Sequence, residues 1–204
     1  TIGGLRAMCL ALLDGIDVRF FEGEARTGIA YAEAVLTSSV AVALCGASFV
    51  RLLAKSAPWL AGRPTKLRAL MSCGSFYDDD ASAKVRKDYG IEVVNAYGQT
   101  ETSGIVMCEP LGSYRRDRMA PPLPGISQSF RDAGQGLWEL GIHTPTPFCG
   151  YLGQGRPQTD PIWTGDLVRR EADGIAFAGR VGHAMKTRDG AGWLLPERVE
   201  SWVR

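Results

Sequence analysis

Asn95-Ala96-Tyr97-Gly98-Gln99-Thr100-Glu101-Thr102 is the stretch on which the reading of this chain turns. It follows Ile91–Val94, a continuously apolar run of the kind expected of a parallel strand buried on both faces. It then enters a glycine turn with a hydroxyl, a carboxylate and an aromatic ring close together. In an open α/β sheet, the carboxyl end of a strand is where ligands bind. A phosphate ligand carrying Mg²⁺ suits such a turn: the Thr100 hydroxyl donates to phosphate and the Glu101 carboxylate coordinates a hard cation. The plainer alternative is a polar turn that caps a strand.

Upstream of that turn, helical and strand patterns alternate. Gly4–Asp14 carries apolar residues at helical spacing, and Gly15 is placed to stop it in a left-handed turn. Ile16–Phe21 reads as a strand, Ile29–Leu36 as a helix and Ser39–Cys45 as a short apolar strand. Ala47–Lys55 reads as a helix closed by Pro58. Leu67–Met71 is a strand leading into Ser72-Cys73-Gly74-Ser75. Asp78-Asp79-Asp80 opens a helix where acidic groups suit the positive end of the dipole, and Gly90 closes it. This order predicts an α/β fold, a parallel sheet covered by helices. Neither a dinucleotide fingerprint nor a Walker loop follows any of these strands.

Beyond about residue 105 the texture changes. Prolines from Pro110 to Pro161 and frequent glycines break the chain into short strands, Leu137–His143, Leu167–Glu171 and Ile175–Ala178. Ala172-Asp173-Gly174 forms a hairpin turn between the last two. This part predicts a small antiparallel β subdomain, a distorted barrel. The expected organisation is an α/β subdomain over 1–105, a β-rich subdomain over 106–178, and a hinge over 179–204 that begins a further domain.

A net charge of +1 supplies no field to draw nucleic acid or a membrane surface. The basic run Arg115–Arg118 reads as a solvated loop. The five cysteines are odd in number and contain no Cys-x-x-Cys pair, which speaks against zinc and disulfide frameworks and suits a reducing cytoplasm. No apolar run reaches the length of a membrane span, and no signal-peptide pattern is present. His143 and His183 have no partner pattern for metal or triad chemistry, and His143 reads as a plain hydrogen-bonded strand residue. Thr1 at one end and the helical pattern of Pro196–Arg204 at the other read as cuts in a longer chain.

Asn-x-Tyr-Gly-x-Thr-Glu resembles the signature of the adenylate-forming superfamily, which includes acyl- and aryl-CoA ligases, luciferases and peptide-synthetase adenylation domains. Three further segments resemble that family in its own order. They are Gly136–Leu152 (GLWELGIHTPTPFCGYL), Trp163-Thr164-Gly165-Asp166, and Gly179-Arg180 through Lys186. The resemblance implies that a carboxylic acid is joined to AMP from ATP with Mg²⁺, and is then passed to a thiol of CoA or of phosphopantetheine on an acyl carrier protein. It implies that Tyr97 stacks on or beside adenine, with Asn95, Ala96 and Gly98 near its edge and the Gly74-Ser75 turn as the opposite wall. Thr100 would hold a phosphate oxygen, and Glu101 would ligate Mg²⁺. Asp166 would accept from the ribose hydroxyls, Arg180 would reach ribose or phosphate, and Lys186 would serve the second half-reaction.

Besides smaller departures at Cys73, Ser75, Gly182 and His183, two family elements are absent altogether. The family's glycine- and hydroxyl-rich phosphate loop would precede residue 1, and its distal catalytic lysine would follow residue 204. Losing one such charge-stabilising group costs ~3–4 kcal/mol of transition-state stabilisation. The chain alone is therefore expected to adenylate weakly or not at all, its missing groups coming from remaining domains or a partner chain. Two alternatives stand beside the ligase: a non-catalytic nucleotide- or acyl-binding remnant, and a peptide-synthetase adenylation domain. Against the latter, the Thr1–Gly4 region lacks the Phe-Asp-x-Ser element that holds an amino group.

Overall fold

The computed structural model describes residues 9, 12–19, 28–74, 77–115, 117–154, 160–186 and 193–196, the side chains of 186, 193 and 194 excepted. The chain divides into two compact units: Thr1–Gly98 with Cys108–Arg116, and Gln99–Met107 with Asp117–Arg204.

The first unit is the α/β part. Helices α1 (Gly28–Thr37), α2 (Ala47–Leu60) and α3 (Asp79–Tyr89) alternate with strands β1 (Val42–Cys45), β2 (Ala69–Ser72) and β3 (Glu92–Gln99). The strands run parallel in the order β1-β2-β3, with Val42 opposite Ala69 and Leu70 opposite Val93. Leu36, Val50, Leu53, Leu60, Leu70, Val85 and Val93 make up most of the core between sheet and helices. Each such side chain, taken wholly out of water, contributes roughly 1.5–3 kcal/mol.

Helix α3 is set by its own ends. The Asp78 carboxylate accepts the Ala81 N–H at 3.0 Å, Asp79 and Asp80 occupy the first turn, and Arg86 and Lys87 the last. Gly90, at φ 68°, turns left-handed so that its N–H closes on Arg86 O. The Tyr89 hydroxyl then donates to Leu53 O at 3.0 Å, tying α3 to α2.

Three expectations are corrected here. Helix α2 does not stop before Pro58 but includes it and runs to Leu60. Proline lacks one N–H, yet burial of Ala57 and Leu60 holds the last turn. Residues 16–19 are not a strand; Ile16 is half exposed, and among the described residues no strand pairs with them. Residues 20 and 21 of that expectation, most of the predicted first helix, and Ser75 lie outside the described residues. Finally, β3 does not end at Val94 but continues through Tyr97 and Gly98 to Gln99, so most of the motif is strand and the turn begins at Thr100.

The second unit is β-rich. Strands β5 (Ser127–Gly134), β6 (Leu137–His143), β7 (Ile162–Glu171) and β8 (Gly174–Arg180) form an antiparallel sheet in that order, with β5 and β8 at its edges. The expected distorted barrel is thus, among the described residues, an open sheet. Leu137, Leu167, Ala178 and Leu195 form a core cluster there. Val106 of strand β4 (Gly104–Cys108) is tied to the segment ahead of β5 by the Leu123 N–H bond to Val106 O at 2.9 Å. Short strands β9 (Met185–Lys186) and β10 (Trp193–Leu194) pair antiparallel. No disulfide joins Cys9, Cys45, Cys73, Cys108 and Cys149, and no described helix is long and apolar enough to cross a membrane.

Candidate nucleotide-binding site

The turn after β3 is built by Thr102, a residue the sequence reading did not single out. Its hydroxyl, 2% exposed as part of the residue, accepts the Gln99 N–H at 2.9 Å and lies 2.8 Å from Gly104 O and 3.0 Å from Gln99 O. Ser103 follows at φ 55° and donates its N–H to Thr100 O. Thr102 thus replaces the strand partners the backbone loses at the bend, and Thr100 and Glu101 are left at the tip.

Strand β7 presents the second part of the site. The Thr164 hydroxyl donates to Leu140 O at 2.8 Å and accepts the Asp166 N–H at 3.1 Å. Gly165, at φ 71°, makes the kink between them in a conformation that L side chains resist. Asp166 pairs across the sheet with Arg180 of β8. Its carboxylate is almost wholly buried and is held by Gln99 and Arg180. Gln99 Nε2 reaches Oδ2 at 2.9 Å, and Arg180 Nε reaches Oδ1 at 2.9 Å. Both donors also converge on Thr164 O, Gln99 at 3.0 Å and Arg180 at 3.2 Å.

Gln99, Thr100, Glu101, Tyr151, Trp163, Thr164 and Arg180 line one cavity of about 370 Å³. Asp166 lies behind its wall, in contact with Gln99, Thr164 and Arg180. At the mouth, the Tyr151 hydroxyl donates to Glu101 Oε1 at 2.6 Å, and the Phe148 N–H donates to Glu101 O. The bond to Glu101 holds the Tyr151 phenol above its ordinary pKa. The Tyr151 ring meets Phe148 edge-on at 5.1 Å.

Of the residues expected at the site, Thr100, Glu101 and Arg180 line this cavity and Asp166 backs it. Gly74, Asn95, Ala96, Tyr97 and Gly98 belong to the first unit. There the Asn95 N–H donates to Glu109 Oε2 at 3.3 Å, and Asn95 O accepts the Glu109 N–H at 3.0 Å. Ala96 is buried in the sheet, and Tyr97 is half-buried. Gly74 sits at φ 77° with open space around it, so its backbone conformation, not crowding, favours glycine. Lys186 lies in β9, and its side chain is outside the described residues. Gln99, Tyr151, Trp163 and Thr164 were given no role in advance. Each stands inside a quoted motif, at a position with no assigned role.

The donor set bears on a metal. No group of three His, Cys, Asp or Glu able to hold an ion occurs among the described residues. Mg²⁺ keeps several waters and takes one or two carboxylates together with substrate phosphates. The lone Glu101 carboxylate beside the Thr100 hydroxyl fits that habit, and an ion there would arrive with its nucleotide.

A family model described as AMP-binding enzyme matches residues 1–152. The chain belongs to the AMP-binding enzyme family. Similarity to a naringenin synthase of Pestalotiopsis fici extends over 113 residues at 33% identity, half of this chain and 4% of that protein. Among solved structures, the chain resembles the anthranilate CoA ligase AuaEII in complex with anthranoyl-AMP, with a TM-score of 0.78 and 19% identity. That likeness covers 92% of this chain and 38% of the other. It also resembles the o-succinylbenzoate CoA synthetase MenE of Bacillus subtilis in complex with its acyl-adenylate intermediate OSB-AMP. The TM-score is 0.81 at 18% identity, over 98% of this chain and 42% of that one. The chain therefore spans about two-fifths of these ligases. At such identity the likeness establishes the fold alone: parallel strands with helices, and an antiparallel sheet.

Proposed function

We propose that this chain forms part of an ATP-dependent acid–thiol ligase that activates a small carboxylic acid as its adenylate and passes it to a thiol of CoA or a carrier protein. The observation that carries this reading is the grouping of Gln99, Thr100, Glu101, Thr164 and Arg180 around one cavity, with Asp166 behind them. Thr100 donates its hydroxyl to a phosphate oxygen. Glu101, oriented by Tyr151, receives Mg²⁺, which when bound neutralises charge on the phosphates. Arg180 keeps its permanent charge toward ribose or phosphate while anchored to Asp166. Asp166 offers acceptors to the ribose hydroxyls, which enter by exchange with the Gln99 amide. The family resemblance further assigns adenine contact to Tyr97, with Asn95, Ala96 and Gly98, and to Gly74 and Ser75. Lys186 serves the thiol-transfer step.

A carrier-protein thiol is the second reading of the acceptor. It is supported by the naringenin synthase match, which occupies 4% of a far longer protein, and by likeness to the peptide synthetase FmoA3 in its AMPPNP-bound form. In the test, ATP binding to the full-length protein is measured by calorimetry beside Asp166→Asn. Losing charge-assisted hydrogen bonds of about 1.5–3 kcal/mol weakens binding roughly 10- to 100-fold. Equal affinity in the variant overturns the ribose role. Pyrophosphate release across a panel of acids then identifies the substrate, and no release with any acid removes the ligase reading.

A further inference from the structure

The sequence offers His143 no partners, and the fold supplies two. His143 closes β6, and Ser129 lies on the neighbouring β5. The register Ser127↔His143 and Ser129↔Gly141 puts both side chains on one face of the sheet, a diagonal apart. The Ser129 hydroxyl stands 2.7 Å from His143 Nε2, and His143 Nδ1 stands 2.6 Å from Asp160 Oδ1. A carboxylate only accepts, so Nδ1 carries the proton of that bond. In the neutral ring, Nε2 then turns its lone pair to Ser129, and the serine hydroxyl donates. A nucleophile, a base and a group that fixes the base's tautomer stand in the hydrogen-bond order that activates a serine.

The surroundings suit a flat, apolar substrate. Gly141, directly across from Ser129, lies under Pro161 and Trp163; a Cβ there would come within 3.0 Å of Pro161 Cγ and Trp163 Cζ3. These rings make an apolar wall beside the serine. The Asp160 side chain is 81% exposed and that of His143 is 34% exposed, so a reagent arrives from the Asp160 side. Working in water, the Asp160 carboxylate orients the imidazole more than it strengthens it. That restricts the chemistry to substrates with good leaving groups.

We propose that Ser129, His143 and Asp160 form a nucleophilic relay that accepts acyl groups from small activated aryl esters. Ser129 Oγ forms a bond to the ester carbonyl carbon while its proton passes to His143 Nε2. The bond from that carbon to the phenolic oxygen breaks, and the phenol leaves with the proton. Water, deprotonated by His143, then cleaves the Ser129 ester, releasing the carboxylic acid and restoring the serine. No nucleotide takes part, so this proposal and the ligase reading stand or fall separately.

The competing view is that these three side chains only staple β5, β6 and the segment entering β7 together. A fluorophosphonate probe separates the two, because Ser129 Oγ would bond to phosphorus with loss of fluoride. Incubation of the whole chain, followed by peptide mass spectrometry, is expected to place the label on Ser129. Labelling is expected to fall roughly 100-fold in His143→Gln, the scale of a positioned general base. It is expected to fall by at least about tenfold in Asp160→Asn, an exposed change that leaves the fold intact. Ser129→Ala abolishes the label and slows turnover of p-nitrophenyl acetate. Absence of label on Ser129 overturns the relay, as does equal labelling of either variant and the native chain.

Discussion

Replacing Gln99 by methionine keeps the shape of the side chain and removes its amide. The Asp166 carboxylate then loses the Gln99 donor in a setting only 4% exposed. An unsatisfied buried acceptor costs about 1–3 kcal/mol, so the urea midpoint of Gln99→Met should fall accordingly. ATP affinity should hold or tighten, since the amide no longer competes for Oδ2; a loss as large as that of Asp166→Asn would mean that Gln99 itself touches nucleotide. At this scale the sequence was half legible. Thr100, Glu101, Asp166 and Arg180 stood out because each is a polar residue at a motif position to which the family resemblance assigns a role, and they gather at one cavity. Gln99 and Thr102 did not, because what they do depends on partners that only folding provides: Thr164 and Asp166, more than sixty residues away, for Gln99, and the geometry of one bend for Thr102. His143 is the hydrogen-bonded strand residue expected, but its partners were hidden for the same reason, since Ser129 and Asp160 are 14 and 17 residues distant.

Elements were legible where their signals are local. Helix α3 carries its cap, its first-turn acids and its closing glycine within thirteen residues of sequence, Asp78 to Gly90. Asp78→Ala should cost about 1 kcal/mol by denaturant titration, from loss of the cap to Ala81. Strand β5 was not foreseen, because Ser127–Gly134 has only Phe130 and Ala133 as apolar members and its place is fixed by pairing with β6. Helix α2 overran the expected stop because burial of Leu60 outweighs one missing hydrogen bond at Pro58. The β6–β7 contact is tight enough to test. Gly141→Ala would push its methyl group into Pro161 and Trp163, and such overpacking costs roughly 1–3 kcal/mol. The displaced indole lines the cavity, so its fluorescence should shift along with the fall in stability.

Across the whole chain, the fold class followed from alternation of helix and apolar strand, and the family from four motifs in order. The first unit also carries an alkaline sensitivity. Burial, and secondarily the neighbouring Cys73, push the Cys45 thiol up from 9.0 to about 12. Burial and the bond to Asp79 likewise hold Tyr114 above its ordinary range. Both groups keep their protons longer when folded than when unfolded. Their contribution is therefore full below pH 9 and lost as pH climbs toward 12. Urea midpoints should drop between pH 8.5 and 11, by less in Cys45→Ala, as chemical denaturation at stepped pH would show; an equal drop in both proteins would clear Cys45 of the effect.

Strand β1 has one further consequence. It stands at the end of the β1-β2-β3 order, and Val42 and Leu44 are 54% and 46% exposed on it. A short, greasy border with no strand paired to its outer side among the described residues is a template for stray strands. Handled at millimolar strength, the protein should clump through that border. A lysine in place of Val42 ought to keep light-scattering traces flat where the parent solution turns cloudy.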